Sequence, residues 1–340
     1  MIIYTLRKPC NLLVSKRAKF NNKYYKPMSI WKFKEIKKQL NENSDYITLG
    51  EGETRVDEIL LEKKKILLKR EDLNPTGSWK DRGTAFKLTE LINNGKKEAV
   101  ISSSGNAAIS FLTYANFIKK FKLHIVVSPN TNLTKLKKIK SLVENTNHEL
   151  YLTNNTRRKS IEISAVLKIP NLRASIDENI VRGYWSLGFE LSKLIKEHDN
   201  NKNTALFIPV SSGTTLIGIV QGLFTRLEQE YRMPRIFICQ TQSVHPLIEE
   251  NTSYSFNVSE KSLADSIFDN IVLRKPQIYK LTRETNGEIF AITNNELLVA
   301  QKIMNETNIV NLSYTSLLSI AGFLRVKENF AKNICITSGT

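Results

Sequence analysis

Cysteine and histidine are scarce in this sequence. Its 340 residues include three cysteines, Cys10, Cys239 and Cys335, and four histidines. No two cysteines form a C-x-x-C pair, which argues against both a structural zinc site and a disulfide framework and suits a reducing compartment. The scattered histidines argue against a histidine metal cluster, so no metal is expected. Long apolar runs are missing as well. None approaches the ~20 residues that a membrane helix needs, so no membrane partner is expected. No internal repeat of fixed short period is found. Acidic residues are absent before Glu35, although nine basic residues stand there.

That acid-free segment supplies about half of the formal net charge of +17. A strongly basic chain raises the question of nucleic acid. Much of the remaining excess is lysine beside asparagine in stretches such as "NNGKKE" and "HDNNKN". Neither zinc-finger spacing nor an aromatic-glycine RNA-binding motif is present. A solvated, lysine-rich surface is therefore the expectation, with no nucleic-acid partner; a basic nucleic-acid-binding protein is the non-enzymatic alternative. Residues 1–29 read as a basic N-terminal extension, with Met28 as an internal start. They lack the serine and arginine richness of a transit peptide, and their apolar patches are too short for a secretory core. A cytoplasmic location is expected, with organellar targeting as the competing reading of this segment.

What is present is a rhythm. The 41% hydrophobic content suffices for a large core. "EAVISSS", "KLHIVVSP", "HELYLT", "TALFIPV" and "RIFICQT" read as strands. Helical spacing fills the segments between them, as in "NAAISFLTYANFIKKF", "LTKLKKIKSLV", "IVRGYWSLGFELSKLIKEH" and "TTLIGIVQGLFTRLEQE". "NNELLVAQKIMNE" and "YTSLLSIAGFLRVKE" are amphipathic helices, and "NICITSGT" closes the chain as a strand entering a polar turn. The fold class is α/β, with parallel sheets covered by helices. Residues from about Ser255 to Ile292 read as short strands and turns.

In such sheets, ligands sit beyond the carboxyl ends of strands, at helix N-termini. Four polar turns occupy places of this kind: "NPTGS" before "WKDRG", "SSSGN", "SSGTT" and "TSGT". One anionic ligand explains four such turns better than chance. In "KREDLNPTGSWKDRG", Ser78 can cap the following helix and Lys80 falls in its first turn. The helix dipole disfavours a cation there, which eases the loss of the proton that a nucleophilic lysine must give up. Lys69 and Lys87 are the competing lysines, and neither stands in a comparable turn.

This stretch resembles the lysine motif of the fold-type II pyridoxal-phosphate enzymes, and within them that of the threonine synthases, "NPTGSFKDRG", with Trp79 in place of the phenylalanine. "IWKFKEI" and "ITLGEGETRV" resemble the openings of the same group. The resemblance spans roughly residues 30–340. It implies a two-domain, tryptophan-synthase-beta-like architecture, with a larger cofactor domain at 30–84 and 181–340 and a smaller inserted domain at 85–180. It implies pyridoxal 5'-phosphate held by Lys80 as a Schiff base. Asn106 would meet the cofactor's phenolic oxygen, and Ser103, Ser104, Gly105, Asn106 and Ala107 the substrate carboxylate. Ser212, Gly213, Thr214 and Thr215 would cradle the phosphate, although Ser211 and Thr214 stand where relatives have glycine. Ser338, with Thr337 as runner-up, would face the pyridine nitrogen.

"VRGYWS" departs from the group. Arg182, Trp185 and Ser186 replace a glutamate, a lysine and a threonine. Arg182, Arg157 or Arg158 could meet a substrate phosphate; an ordinary surface arginine is the plainer reading of each. The implied activity is a lyase that turns O-phosphohomoserine and water into threonine and phosphate. A serine/threonine deaminase or a cysteine-synthase-like β-replacement enzyme is the alternative on the same fold. The implied partner is a small amino acid, with a homodimer as one assembly open to the chain.

Overall fold

The continuous apolar runs become inner strands of parallel sheets, and the runs of helical spacing become the layers that cover them. The computed structural model describes residues 29–103, 105–197, 203–227, 231–248, 260–267, 269–307, 309 and 312–339. Cys10, Ser104 and nearly all of the basic segment lie outside the described residues. In chain order the elements are α1 (Lys34–Lys37), β1 (Val56–Leu61), β2 (Lys64–Lys69), α2 (Lys80–Asn93), β3 (Glu98–Ser102), α3 (Asn106–Ile118), β4 (Lys122–Val127), α4 (Leu133–Val143), β5 (Glu149–Leu152) and α5 (Thr156–Leu167). They continue with α6 (Val181–Lys196), β6 (Thr204–Pro209), α7 (Thr214–Arg226), β7 (Arg235–Thr241), α8 (Lys275–Glu284), β8 (Glu288–Ile292), α9 (Asn294–Asn305), α10 (Tyr314–Arg325) and β9 (Lys332–Ile336).

Two sheets result. One has the order β1-β2-β9-β6-β7-β8, and the other β3-β4-β5. All pairings are parallel except that of β1 with β2. The chain leaves the larger sheet after β2, builds the smaller one, and returns at β6. Every residue of β6 is buried, as a central parallel strand covered on both faces requires. Its side chains alternate between two cores. Phe207 packs with Leu297 of α9 and Phe323 of α10 in one core. Leu206 and Ile208 belong to the other, with Leu187 of α6, Leu216 of α7 and Ile278 of α8. The smaller sheet is covered by α2, α3 and α4, joined by Ile30, Trp31 and Phe33. Ile163 of α5 packs on its other face.

One sequence expectation needs correction. The stretch read as short strands and turns contains a ten-residue helix, α8, whose Ile278 and Leu281 face the core. Its apolar side chains are few on a polar segment, so no apolar run marks it. "ILLKRED" reads as strand-like and contains most of β2; strand β1 and the hairpin that joins them carry no sequence expectation. The hairpin's turn places Glu62 and Lys63 at φ of 47° and 66°, values usually supplied by asparagine or glycine. Among the described residues no helix is long and apolar enough to cross a membrane.

Candidate active site

The turns after β3, β6 and β9 and the turn before α2 meet at one cavity of about 270 Å³. Ser78, Trp79 and Lys80 line it from the first of these, and Ser103, Gly105, Asn106 and Ala107 from the start of α3. Ser211, Ser212, Gly213 and Thr215 come from the start of α7, and Ser338 from the end of the chain. Ser104, named with the carboxylate-binding group, lies outside the described residues.

The lysine turn is fastened to the final strand. Ser78 forms an antiparallel bridge with Gly339. The Ser78 hydroxyl donates to the Ser338 carbonyl at 3.0 Å, and the Trp79 N–H donates to the same oxygen at 3.3 Å. Ser78 Oγ also accepts the Lys80 N–H at 3.2 Å, which satisfies one of the open donors of α2. Beneath the turn lies a buried charge cluster. Arg82 donates from Nε and Nη2 to the two Glu71 oxygens, each at 2.7 Å. It also reaches both Glu190 oxygens, at 2.7 and 2.9 Å, and Ser186 Oγ at 2.9 Å. Asp81 accepts from the Thr76 N–H at 2.7 Å and the Ser110 hydroxyl at 2.6 Å. Burial raises its carboxyl to about 6. Asp81 and Arg82 thus anchor the turn and leave the cavity to Lys80.

Geometry separates the three lysines. Lys69 pairs with Glu190 at 2.7 Å. Lys87 pairs with Glu90 at 2.6 Å and Asp177 at 2.8 Å. Lys80 makes no ion pair or hydrogen bond through Nζ among the described residues; that atom lies 5.9 Å from the centre of the Trp79 ring. Burial lowers its pKa, and the Asp269 carboxylate works in the opposite direction. Loss of the proton is what amine chemistry on a carbonyl requires.

The turn expected to hold an anion is built around Gly213, at φ +83°. A Cβ there would lie 2.5 Å from Ile278 Cδ1. The hydroxyls beside it are partly committed. Thr214 donates to the Ala174 carbonyl at 3.0 Å and does not line the cavity. What it can offer an anion is its backbone N–H in the first turn of α7. Ser211 donates to Asp269 at 2.8 Å. At the chain end the two candidates divide. Thr337 is fully buried and donates to Asp72 at 2.6 Å. Ser338 lines the cavity, and its hydroxyl has no hydrogen bond among the described residues.

The arginines also divide. Arg157 lines the cavity, Arg158 lines only a surface hollow beside it, and Arg182 lines neither. Trp185 donates its indole N–H to Gln221 at 2.7 Å, and Ser186 belongs to the Arg82 cluster. The departing "VRGYWS" segment nevertheless reaches the site through Tyr184. Sequence reasoning missed Tyr184, Arg173 and Asp269, which line the cavity from α6 and from two long connections. No local pattern marks them. Burial and the Arg157 charge lower the Arg173 pKa, while Asp269 raises it. Among the described residues no group of three histidines, cysteines or acids could hold a metal. Cys239 and Cys335 are buried free thiols.

These residues fit pyridoxal 5'-phosphate. A deprotonatable lysine, a glycine-centred helix start for a phosphate and an unengaged hydroxyl face one cavity of suitable size. The family model described as "Pyridoxal-phosphate dependent enzyme" matches residues 34–339. The chain is 22% identical over 329 residues to the threonine synthase of Methanosarcina acetivorans, covering 92% of this chain and 79% of that protein. It is 25% identical over 258 residues to the catabolic L-threonine dehydratase of Staphylococcus aureus, covering 73% and 69%. The crystal structure of serine racemase from Dictyostelium discoideum superposes with a TM-score of 0.66 at 18% identity, covering 92% of this chain and 98% of that one.

Proposed function

Since the chain belongs to the pyridoxal-phosphate-dependent enzyme family and has the fold-type II architecture, we propose that it converts O-phosphohomoserine and water to threonine and phosphate, with Lys80 as the covalent cofactor ligand and proton carrier. The observation that supports the choice of substrate is a pair of arginines in the cavity wall. Arg157 of α5 and Arg173 of the connection after it line the cavity that Lys80 faces, and neither belongs to the helix start that suits the cofactor's phosphate. A substrate with its own phosphate would use this pair, because arginine forks bind such groups in a bidentate way.

When bound, pyridoxal 5'-phosphate supplies an aldehyde that condenses with amines and an electron sink for charge left at Cα. The chain's own residues do the rest. The N–H groups at the start of α7 and the Ser212 hydroxyl hold the cofactor's phosphate. Asn106, at the start of α3, would meet the ring's phenolic oxygen, and Ser338 would face its nitrogen. Ser338 offers a hydroxyl, which does not force the ring nitrogen to carry a proton as a carboxylate would. The Ser103–Ala107 turn takes the substrate carboxylate. Lys80 Nζ then removes protons at Cα and Cβ, which lets phosphate leave Cγ, and returns protons to the carbon skeleton as water adds at Cβ.

The similarity to a threonine dehydratase favours a second reading, deamination of serine or threonine to a 2-oxo acid. A product assay separates the two. Purified, cofactor-loaded protein given O-phosphohomoserine is expected to release phosphate and form threonine in equal amounts. Formation of neither product sinks the first reading, and 2-oxo acid from serine or threonine establishes the second. Lys80→Ala is expected to abolish the visible absorbance band near ~410–430 nm and the activity together.

A further inference from the structure

The described lining of the cavity holds three cationic side chains, Lys80, Arg157 and Arg173, and one acidic side chain, Asp269. The proposed reaction assigns that acid no task. Asp269 lies in the connection between β7 and α8, on a segment whose Ser266 and Ile267 also line the cavity. Both ends of the segment are held. Lys135 of α4 donates to Asp265 Oδ1 at 2.7 Å and to Ser266 Oγ at 3.0 Å. Ser211 Oγ donates to Asp269 Oδ2 at 2.8 Å, and the Asp269 N–H donates to Ser211 Oγ at 3.4 Å. The carboxylate is therefore fixed at the first residue of the anion-binding turn, facing the lysine's cavity. Its remaining oxygen has no hydrogen bond among the described residues.

We propose that Asp269, the acidic side chain in the described lining of this cavity, favours the ammonium of Lys80 in the apoprotein without contacting it and restrains its capture of the cofactor at neutral pH. Asp269 acts through Lys80 and is a positioning residue. Capture needs the free amine: Nζ attacks the aldehyde carbon, the C=N bond forms, and one water leaves. A carboxylate that lines the same cavity favours the protonated form that cannot attack. The other charged and titratable groups around Lys80 do not take over this task. Asp81 turns to Thr76 and Ser110. Tyr184 of α6 is buried, and burial raises its pKa so that it stays neutral. Arg157 and Arg173 are cations and cannot serve as its anion, and Arg173 shares the field of Asp269. The same carboxylate also opposes a phosphate at the α7 start, because like charges meet there across Ser211.

The inference rests on Lys80 as the cofactor lysine and is independent of which amino acid is processed. The test strips the full chain of cofactor and follows growth of the absorbance band after mixing with pyridoxal 5'-phosphate or with pyridoxal, across pH. Asp269→Asn is expected to speed capture of both aldehydes several-fold at pH 7 and to move the midpoint of the pH–rate profile downward. The gain is larger for the phosphorylated aldehyde, since the like-charge opposition goes too. Asp269→Glu keeps the charge and is expected to retain the wild-type midpoint. An unmoved midpoint in Asp269→Asn, or slower capture of either aldehyde, overturns this inference alone. A band that survives Lys80→Ala removes the lysine assignment and this inference with it.

Discussion

Three lysines stand within nineteen positions of one another, and their surroundings give them different chemistry. Lys69 and Lys87 are locked in ion pairs with carboxylates, and against the effect of burial the pairs of Lys87 raise its pKa. Lys80 has burial without such a partner in contact, so its free amine is the more accessible. Side chains that do no chemistry of their own hold this difference in place. Glu190 faces both Lys69 and Arg82, and these two cations hold its carboxyl below the usual range. Replacing Glu190 with glutamine leaves two buried cations short of an anion. The expected cost is about 3–5 kcal/mol of stability, seen as a lower urea midpoint at unchanged slope. A midpoint within error of wild type would show that Glu71 alone balances the cluster.

At the scale of elements, helix starts make the site. The first turns of α2, α3 and α7 all open onto the cavity, each after a strand or turn that the sequence marks with serine and glycine. Gly213 is the most constrained of these residues. An alanine there adds left-handed strain of about 1–2 kcal/mol and a Cβ in collision with Ile278. Gly213→Ala is therefore expected to weaken cofactor binding roughly 5- to 30-fold with far-ultraviolet circular dichroism unchanged. Titration of the visible band checks it, and unchanged affinity would remove this turn from the phosphate site. The elements with strong periodicity or continuous apolar runs were legible from sequence, including every strand of the smaller sheet. Strand β1 and its turn into β2 were not, because Glu62 and Lys63 take a backbone shape that their types do not advertise. Helix α8 was not, because its few apolar side chains stand on a polar segment and form no apolar run.

For the whole molecule, burial couples the fold to pH. Glu51 is fully buried, accepting from the Leu49 N–H at 3.0 Å and the Tyr114 hydroxyl at 2.8 Å. Burial raises its carboxyl to about 7. The folded state therefore keeps a proton that the unfolded chain releases from about pH 4.5 upward. This contribution to stability is complete below that pH and is lost as pH rises toward 7, by about 1.4 kcal/mol per unit at its steepest. Glu51→Gln removes the slope. Its stability relative to wild type is expected to rise between pH 4.5 and 7 and then level off, whatever the constant offset from changed hydrogen bonds. Denaturant titrations at several pH values measure this, and a flat difference would mean that Glu51 is ionised in the folded protein.

Local sequence was enough to specify a parallel α/β fold, four polar turns at strand ends, and Lys80 as the lysine on a helix start. These features are written in neighbouring residues, through apolar periodicity, turn chemistry and the dipole of a helix's first turn. Part of the wall of Lys80's cavity was decided only in three dimensions. Arg173 and Asp269 come from irregular connections, and Tyr184 from a helix that mostly packs in the core. They meet because the chain leaves the larger sheet, builds the smaller one and returns. No local pattern encodes a cavity shared by residues so far apart in the chain.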